Sequence, residues 1–540
     1  MIRRSFGVVA IATVTLASCG PPPPVRPQGP TVSGIAPGPG PCLVPTPVPG
    51  KPFRVRVTLA PEIAKAPLSG RLIVFLSDAK EKTATLGFDF SNPRATWMAA
   101  DEVRSLAPGA TFELDPDRLA FPEPLSHAKP GAYRMMALLD VDHTFARVGM
   151  DGGDVRSAVV DVSFDPFPNG AIDLRLEKIV DAPPPIAETE SLKIARVPSA
   201  LLSAFHGRPI EMRATVVLPP SAAKDRKRTF PTAYVITGFG ASEDNAARRG
   251  AQLASGMASG AIPELAFVLL TGALPTGHHV FADSVNDGPW GRALVEELIP
   301  TLEKRFPLVP RASARFLNGH SSGGWSTLWL QITHPDVFAG TWSTSPDPVD
   351  FHAFTTFDAT PGSTDNAFRT TTGAPRSFFR VGSREIMSFE ELAKIEAVQG
   401  EYGGALGTFE WVFSPKGDDG RPLKLFDRVT GEQDPNVQRA WEKWDIRKVL
   451  ESKWTTLAPK LRSKIHLFCG SADNFHLEEA MQRLCAWLEQ RGSDATCEIA
   501  MGKGHFDIYG TGPNGFAAKD GLFARIAGEM RRAFDGARAR

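Results

Sequence analysis

Two patterns of hydrophobic and polar residues divide the chain. From Lys51 to about Asp181, apolar and polar residues alternate between turn residues, as in the segment 53–59. Further strand candidates lie at 72–76, 133–139, 159–164 and 172–179. A period of two predicts short, half-buried strands. We therefore predict an all-β domain over residues 51–182, an immunoglobulin-like sandwich.

A different rhythm follows the triple proline at 183–185. Apolar runs that suit strands buried on both faces alternate with segments of helical period. Strands are predicted at 210–218, 231–237, 265–270, 314–317, 340–344, 465–469 and 496–501, and helices at 245–259, 291–305, 325–333, 477–491 and 516–533. This alternation predicts an α/β domain over residues 190–540, with a doubly wound, mostly parallel sheet covered on both faces.

The stretch 346–464 is predicted to be an insertion in this domain. It contains Trp411, Trp441, Trp444 and Trp454, together with a strand at 378–381. It is too long for a plain connection between two strands. Either it covers the functional site and sets substrate choice, or it is a structural excursion away from that site.

A glycine-flanked serine follows the strand at 314–317, in Gly319-His320-Ser321-Ser322-Gly323. The pattern Gly-x-Ser-x-Gly places a serine on a sharp strand-to-helix turn with its hydroxyl exposed. The turn brings backbone segments close together, so side chains at the two glycines would collide. Chance alone could supply this pentapeptide in a chain of 540 residues, so its context has to decide.

The context is a set of functional groups that follow other predicted strands. Thr237-Gly238-Phe239-Gly240, Asp473 and His505 each come directly after one. The carboxyl ends of parallel strands meet at one edge of a sheet, where functional groups gather. The order serine, acid, histidine is that of the α/β-hydrolases. Rival candidates for the three roles are Ser322, His476, Asp507 and Asp445.

From about residue 190 to its end, the chain resembles the esterase branch of the α/β-hydrolases, which includes esterase D, feruloyl esterases and enterobactin esterases. The resemblance is carried by Gly319–Gly324 and by Asp283-Ser284-Val285-Asn286-Asp287-Gly288-Pro289-Trp290-Gly291, which leads into Glu297-Leu298-Ile299-Pro300. It implies a serine hydrolase of carboxylic esters that uses no cofactor. One departure is Thr237, where the branch usually has histidine. It weakens the match without breaking it, since oxyanion holes use backbone N–H groups.

The resemblance and the strand-end positions assign the same roles. Ser321 would attack an acyl carbonyl, and His505 would take its proton and pass it to the leaving group. Asp473 would orient the imidazole. The N–H groups of Phe239 and Ser322 would form the oxyanion hole.

A second group of residues is expected around these. The substrate-binding candidates are Gly238, Gly240, Trp290 and Trp325. For the two tryptophans, core packing is an equal alternative. We expect His278 and His279 to pack within a loop, because adjacent side chains of a strand face opposite ways and do not ligate one metal jointly.

The first nineteen residues have the features of an export signal. Arg3 and Arg4 precede a short apolar stretch at 6–16, and Leu16-Ala17-Ser18-Cys19 resembles the cleavage box of a bacterial lipoprotein signal. We expect lipidation at Cys19 and a location in the cell envelope, in the periplasm or at the outer membrane. The alternative is an ordinary signal peptide with an incidental cysteine. Residues 20–50 are rich in proline and glycine and are predicted to form an extended linker.

Composition narrows the remaining possibilities. The 60 basic and 60 acidic residues balance, so no nucleic-acid partner is expected. Export permits a disulfide between Cys485 and Cys497, and Cys469 is expected to be a small buried residue. The segment Asp140-Val141-Asp142-His143 is interpreted as a solvated strand end, and no metal is expected.

The function that we expect is hydrolysis of small-molecule or polymer-linked esters. Two alternatives remain open at this stage. One is a peptidase or an acyltransferase on the same fold. The other is an inactive binding protein of the envelope that has kept a hydrolase fold, because a fold by itself does not give a function.

Overall fold

Residues 53–80, 82–164, 171–510 and 515–539 are described by a computed structural model. The predicted signal peptide, Cys19 and the linker at 20–50 with Cys42 lie outside the described residues. The described residues belong to one compact unit. Among its described helices, none combines the length and the apolar character needed to cross a bilayer.

Mostly antiparallel strands form the N-terminal part of the described chain, which is called the antiparallel region below; the pairing of Arg54–Leu59 with Ala171–Ile179 is parallel. The strands are β1 (Arg54–Leu59), β2 (Leu68–Asp78), β3 (Thr96–Leu106), β4 (Thr111–Leu114), β5 (Ala120–Phe121), β6 (Gly131–Asp140), β7 (Val155–Ser157), β8 (Val160–Phe164) and β9 (Ala171–Ile179), with one short helix, α1 (Phe145–Val148). Five of these strands overlap predicted ones. The sequence pattern missed β3, β4, β5 and β7, which either lack clear alternation or are very short.

Within the described residues these strands form a single hydrogen-bonded sheet in the order β4-β1-β9-β7-β6-β2-β3-β5, with β8 on β6. Side chains of β1 and β9 share one apolar cluster with those of β2, β3 and β6, so the sheet curves around a common core. The opposite face of β2, with Ile73 and Phe75, is also buried. This double burial is why β2 has a continuous apolar run. The immunoglobulin-like topology stays a prediction.

Fourteen further strands and twelve further helices belong to the rest of the described chain. The strands are β10 (Leu192–Ser199), β11 (Ile210–Val217), β12 (Thr232–Ile236), β13 (Ala266–Leu270), β14 (Ala273–Leu274), β15 (Gly277–His278), β16 (Asp283–Ser284), β17 (Gly288–Pro289), β18 (Arg315–His320), β19 (Gly340–Thr344), β20 (Ser377–Val381), β21 (Arg384–Ser388), β22 (Ile465–Gly470) and β23 (Thr496–Ala500). The helices are α2 (Ala200–His206), α3 (Ser221–Lys224), α4 (Glu243–Ala258), α5 (Trp290–Ala293), α6 (Ile299–Arg305), α7 (Ser322–Thr333), α8 (Phe389–Gln399), α9 (Ala405–Phe413), α10 (Pro435–Trp441), α11 (Ile446–Leu461), α12 (Leu477–Gln490) and α13 (Leu522–Ala539).

Eight of the described strands form the central sheet, in the order β10-β11-β13-β12-β18-β19-β22-β23. The first pairings are antiparallel, and all pairings from β13 to β23 are parallel. Helices α4 and α13 pack on one face of the sheet. Helices α2, α5, α6 and α7 cover the other face. The predicted mostly parallel sheet with helices on both faces is therefore confirmed.

Element boundaries agree with the sequence pattern in most places. The predicted helix at 291–305 is interrupted by a π turn at Leu294–Leu298. The last helix starts at Leu522, six residues later than predicted. Strand β10 was not predicted. The expected disulfide between Cys485 and Cys497 is present, and Cys469 is free and buried, as expected.

The insertion joins the antiparallel sheet to the central sheet. Its aromatic residues share one core with the second face of β2 and with β22. Arg71 of β2 donates hydrogen bonds to the carbonyl oxygens of Ala397 and Val398 at the end of α8. The insertion therefore packs as an integral part of the protein.

Candidate active site

Ser321 lies at the sharp turn between β18 and α7. Its φ is 59° and its ψ is −127°, a conformation that a non-glycine residue rarely adopts. A methyl group on Gly319 would lie 2.0 Å from the carbonyl oxygen of Gly323, and one on Gly323 would lie 2.1 Å from that of Ile236. These contacts give the steric reason for both glycines in the Gly-x-Ser-x-Gly pattern.

Asp473 and His505 meet beyond the ends of β22 and β23. The Nδ1 of His505 lies 2.9 Å from Oδ2 of Asp473, and both side chains are buried. The other carboxylate oxygen accepts the N–H of Phe475 at 2.9 Å. Burial by itself would raise the pKa of Asp473, but the charge and hydrogen bond of His505 and the Phe475 N–H outweigh it, so this pKa is lowered. Asp473 is therefore ionised and can hold the imidazole in one orientation.

A second carboxylate, which the sequence interpretation missed, contacts the serine turn. Asp347 accepts a hydrogen bond from Oγ of Ser321 at 3.3 Å and one from Oγ of Ser322 at 2.6 Å. Burial raises its pKa to about 6. Among the described residues, no hydrogen bond joins Ser321 to His505. Asp347 follows β19 by three residues, so the strand-end rule applied to that strand would have identified it.

The segment 237–240 lies directly over the serine. A methyl group on Gly238 would be 3.1 Å from Cβ of Ser321. Within the described chain, the N–H groups of Phe239 and Ser322 donate to no protein acceptor. Two free N–H groups on either side of a serine hydroxyl form an arrangement that can receive an oxyanion.

His278 is hydrogen-bonded to the first residue of this segment. Its Nδ1 accepts the N–H of Val280 at 3.0 Å, and its Nε2 lies 2.9 Å from the carbonyl oxygen of Thr237. Nε2 therefore carries the proton and donates to Thr237. Burial lowers the pKa of His278 to about 4 and keeps the ring neutral. The segment that has threonine in place of the usual histidine is thus held by a histidine from the following loop.

The ring of His320 packs against His505, with 4.4 Å between the ring centroids. Burial, together with the neighbouring charge of His505, lowers the pKa of His320 well below its usual value. His320 is therefore neutral and adds no positive charge beside His505. Phe475 contacts the imidazole of His505 edge-on, with a centroid distance of 4.9 Å. Packed rings thus surround the histidine and restrict its orientation.

The two tryptophans that were substrate-binding candidates are core residues in this structure. Trp325 is 1% exposed and stacks on Trp329. Trp290 is 7% exposed and stacks on His279, with 4.0 Å between the ring centroids. Their side chains are enclosed by protein, which corresponds to the alternative of core packing. His279 has a packing role here as well.

The rival residues have other partners. His476 lies 2.9 Å from Oγ of Ser377, and the carboxylate of Asp507 accepts the N–H of Gly504 at 2.7 Å. Asp445 accepts the N–H groups of Phe351 and Lys448 at the start of α11.

The strand end at Asp140 differs from the expectation of solvated side chains. Asp140 and Asp154 are buried, and their carboxylates lie within 4.8 Å of each other and of Asp142. Burial raises the pKa of Asp140 to about 6 and that of Asp154 to about 7. The carboxylate of Asp140 accepts the N–H groups of Thr144 and Phe145, so it stabilises the turn that begins α1.

The insertion holds the loop that carries Asp473. Arg380 of β20 donates to the carbonyl oxygen of Asp473 at 3.0 Å and forms an ion pair with Glu478. Asn474 donates to the carbonyl oxygen of Arg380 at 2.7 Å and accepts the N–H of His505 at 2.8 Å. The insertion therefore positions the acid and the histidine, whichever substrate enters the site.

The doubly wound sheet and its glycine-flanked serine turn define the α/β-hydrolase class. A comparison of the chain with known protein families leads to an esterase family. Residues 208–517, more than half of the chain, match the family described as Putative esterase. The chain belongs to this family and is a carboxylic ester hydrolase of the serine hydrolase type.

Comparisons with individual proteins add only distant similarities. A ferulic acid esterase is 14% identical and aligns over 64% of this chain and 99% of its own, with a TM-score of 0.40. A ferulic acid esterase of Anaeromyces mucronatus in complex with ferulic acid is 14% identical over 63% of this chain and 95% of its own, with a TM-score of 0.33. An S-formylglutathione hydrolase of Staphylococcus aureus is 14% identical over 64% and 98%, with a TM-score of 0.32. No curated protein matches the chain significantly.

Proposed function

We propose that the protein hydrolyses carboxylic esters through an acyl-enzyme on Ser321. The observation that carries this proposal is the buried pair of Asp473 and His505 at the same sheet edge as the serine turn. His505 takes the proton of Ser321 as the hydroxyl attacks, and then gives it to the leaving alcohol. Water repeats the sequence with His505 as the base and releases the acid.

The tetrahedral intermediate carries a negative oxygen, for which two donors are available. We assign this role to the N–H groups of Phe239 and Ser322, which have no other acceptor among the described residues. The N-terminus of α7 adds the positive end of its dipole. Each such donor contributes about 3 kcal/mol to transition-state stabilisation.

The first step of catalysis is a rotation of the serine side chain. In the structure, Oγ of Ser321 donates to Asp347. Rotation about its Cα–Cβ bond directs the hydroxyl towards His505. Hydrogen bonds at active sites are often formed fully only after substrate binds, so the resting contact with Asp347 is compatible with the mechanism.

Labelling with a fluorophosphonate probe tests the nucleophile. We expect the wild-type protein to be labelled on Ser321 and to hydrolyse p-nitrophenyl butyrate. Ser321→Ala should lose both activities and keep its thermal stability. Ser322→Ala is the matched control, since it removes the neighbouring hydroxyl and leaves its backbone N–H in place. Labelling of Ser322, or undiminished turnover by Ser321→Ala, would contradict the proposal.

Family membership supports an ester as the substrate. Product analysis separates this from the peptidase and acyltransferase alternatives. We expect release of free acid from esters, no cleavage of peptides, and no transfer of the acyl group to added alcohols. The opposite pattern would assign the same serine to one of the other two reactions. Absence of labelling would support a binding protein without catalytic activity.

We also propose that the protein is an exported lipoprotein of the cell envelope, anchored through Cys19 behind a linker at 20–50. The disulfide between Cys485 and Cys497 supports export, because disulfides persist in oxidising compartments. On this proposal, the antiparallel region, as an immunoglobulin-like domain, and the hydrolase sheet both stand outside the cytoplasm. Incorporation of an alkyne fatty acid should depend on Cys19 and be absent in Cys19→Ala. Equal incorporation in both proteins would refute it.

A further inference from the structure

A half-buried arginine of the antiparallel region lies against the segment that covers the serine. Arg147 belongs to α1, and its carbonyl oxygen would be 3.3 Å from a methyl group placed on Gly240. Gly238 packs on Cβ of Ser321 at 3.1 Å by the same measure. Two residues of chain span at most about 7 Å. Arg147 therefore borders the candidate active site, although it belongs to a different sheet region.

The guanidinium of Arg147 lacks a hydrogen-bond or ion-pair partner among the described residues. Its Nε is buried without a hydrogen bond, and within the described residues Arg147 forms no ion pair. Burial is the largest influence on its pKa and lowers it, while the charges of the Asp151 and Asp142 carboxylates raise it. A half-buried charge without a partner destabilises a fold, and buried polar groups normally have one.

The positive charge of Arg147 affects the pKa of a histidine that contacts the covering segment. Burial lowers the pKa of His278, and the hydrogen bond to Thr237 raises it. The positive charge of Arg147 lowers this pKa further. His278 is the residue that supports Thr237 at the start of the covering segment. This influence agrees with the backbone of Arg147 lying against Gly240 in the same covering segment.

We propose that Arg147 binds an oxyanion group, a carboxylate or a phosphate, on the ester substrate. This rests on the proposed esterase function and names its substrate class: an ester with an acidic group on a chain several bonds from the reacting carbonyl. The planar guanidinium offers paired N–H donors that match the two oxygens of such a group. The antiparallel region thereby completes the substrate site of the α/β sheet.

A pair of esters of equal chain length tests this. Mono-p-nitrophenyl suberate carries a terminal carboxylate, and p-nitrophenyl octanoate has the same number of carbons without it. We expect Arg147→Met to lower the ratio of kcat/KM for the suberate to that for the octanoate by about 10- to 100-fold, as for a lost hydrogen bond to a charged group. Arg147→Lys should recover part of the ratio. Arg104→Met, at an exposed arginine of β3, is the matched control and should leave the ratio unchanged.

Thermal stability separates binding from a structural role. Removing an unpaired, half-buried charge should leave the melting temperature of Arg147→Met unchanged or raise it. A lower melting temperature together with equal losses on both esters would overturn the proposal. An unchanged ester ratio in Arg147→Met would overturn it as well. Inhibition by octanedioate and by octyl phosphate then shows which oxyanion binds better, and inhibition by neither would count against the proposal.

A binding measurement keeps this proposal distinct from the catalytic one. Calorimetric titration of monomethyl suberate into Ser321→Ala reports binding without hydrolysis. We expect binding that the added substitution Arg147→Met weakens by about 10-fold or more. If the wild type hydrolyses neither ester but this binding difference is found, the proposed hydrolysis fails and the anion site stands. Equal binding to both proteins would overturn the anion site.

Discussion

Replacing Asp347 by asparagine is expected to stabilise the protein at neutral pH. The carboxyl group is buried, and burial raises its pKa from 3.8 to about 6. The hydroxyls of Ser321 and Ser322 donate to it, and the charge of His505 favours its ionised form, but these influences do not offset burial. Asp347→Asn keeps the shape of the side chain and removes the charge.

The size of the effect follows from the pKa. A group whose folded pKa is raised binds its proton more tightly in the folded state, so stability is lost as the pH rises from 3.8 to about 6. The rise corresponds to about 3 kcal/mol at pH 8. Asp347→Asn should therefore raise the free energy of unfolding by up to about 3 kcal/mol at pH 8 and by only about 1 kcal/mol at pH 4.5, where the wild-type carboxyl is mostly protonated.

Urea denaturation at the two pH values measures this difference. Asp445→Asn is the control, because burial also raises the pKa of Asp445 to about 6, but its carboxylate contacts backbone N–H groups away from the serines. Labelling of Ser321 by a fluorophosphonate at pH 8 should be no slower in Asp347→Asn and unchanged in Asp445→Asn. Equal stabilisation at both pH values, or a large loss of labelling in Asp347→Asn, would refute the reasoning.

Three further predictions concern the elements around the serine. Asp473→Asn should lower kcat by about 10,000-fold with little change in KM, because the imidazole loses the acceptor that fixes its tautomer. Steady-state hydrolysis of p-nitrophenyl butyrate measures this change. A loss below tenfold would exclude Asp473 as the acid. Gly323→Ala would place a methyl group 2.1 Å from a backbone carbonyl oxygen. We therefore expect a lower melting temperature and no fluorophosphonate labelling. A wild-type melting temperature together with wild-type labelling would contradict the geometry. Replacing both Cys485 and Cys497 by alanine removes a bridge of sequence separation 12 and should lower the free energy of unfolding by about 3 kcal/mol. Urea denaturation without reductant measures this loss. Equal stability of the two proteins would show that the bridge contributes nothing.

The strand-end groups could be predicted because each depends on local sequence and on chain order. Ser321, Asp473 and His505 each follow an apolar run, and parallel strands bring their carboxyl ends to one edge. The glycine requirement at the serine turn is likewise local, since the clash is with segments that any such turn brings close. The sequence therefore indicated the central sheet, the serine turn and the pairing of the acid with the histidine.

The strands of the antiparallel region were harder to predict. β2 is buried on both faces, so its apolar run does not alternate, and β3 combines buried and half-exposed positions without a fixed period. Such a residue pattern does not show which face of the strand is buried. Only the packing of the insertion against β2 shows which face is buried and why.

By itself the sequence determined the central fold, the serine turn and the order of its partners, because hydrophobic period and turn sterics act over a few residues. Tertiary structure alone decided which groups touch. Asp347 accepts a hydrogen bond from the serine hydroxyl, His278 donates one to the covering segment, and the backbone of Arg147 in α1 lies against that segment. These contacts join residues that are distant in the chain. Whether a charge is buried and whether it has a partner depend on that packing, and no spacing in the sequence records it.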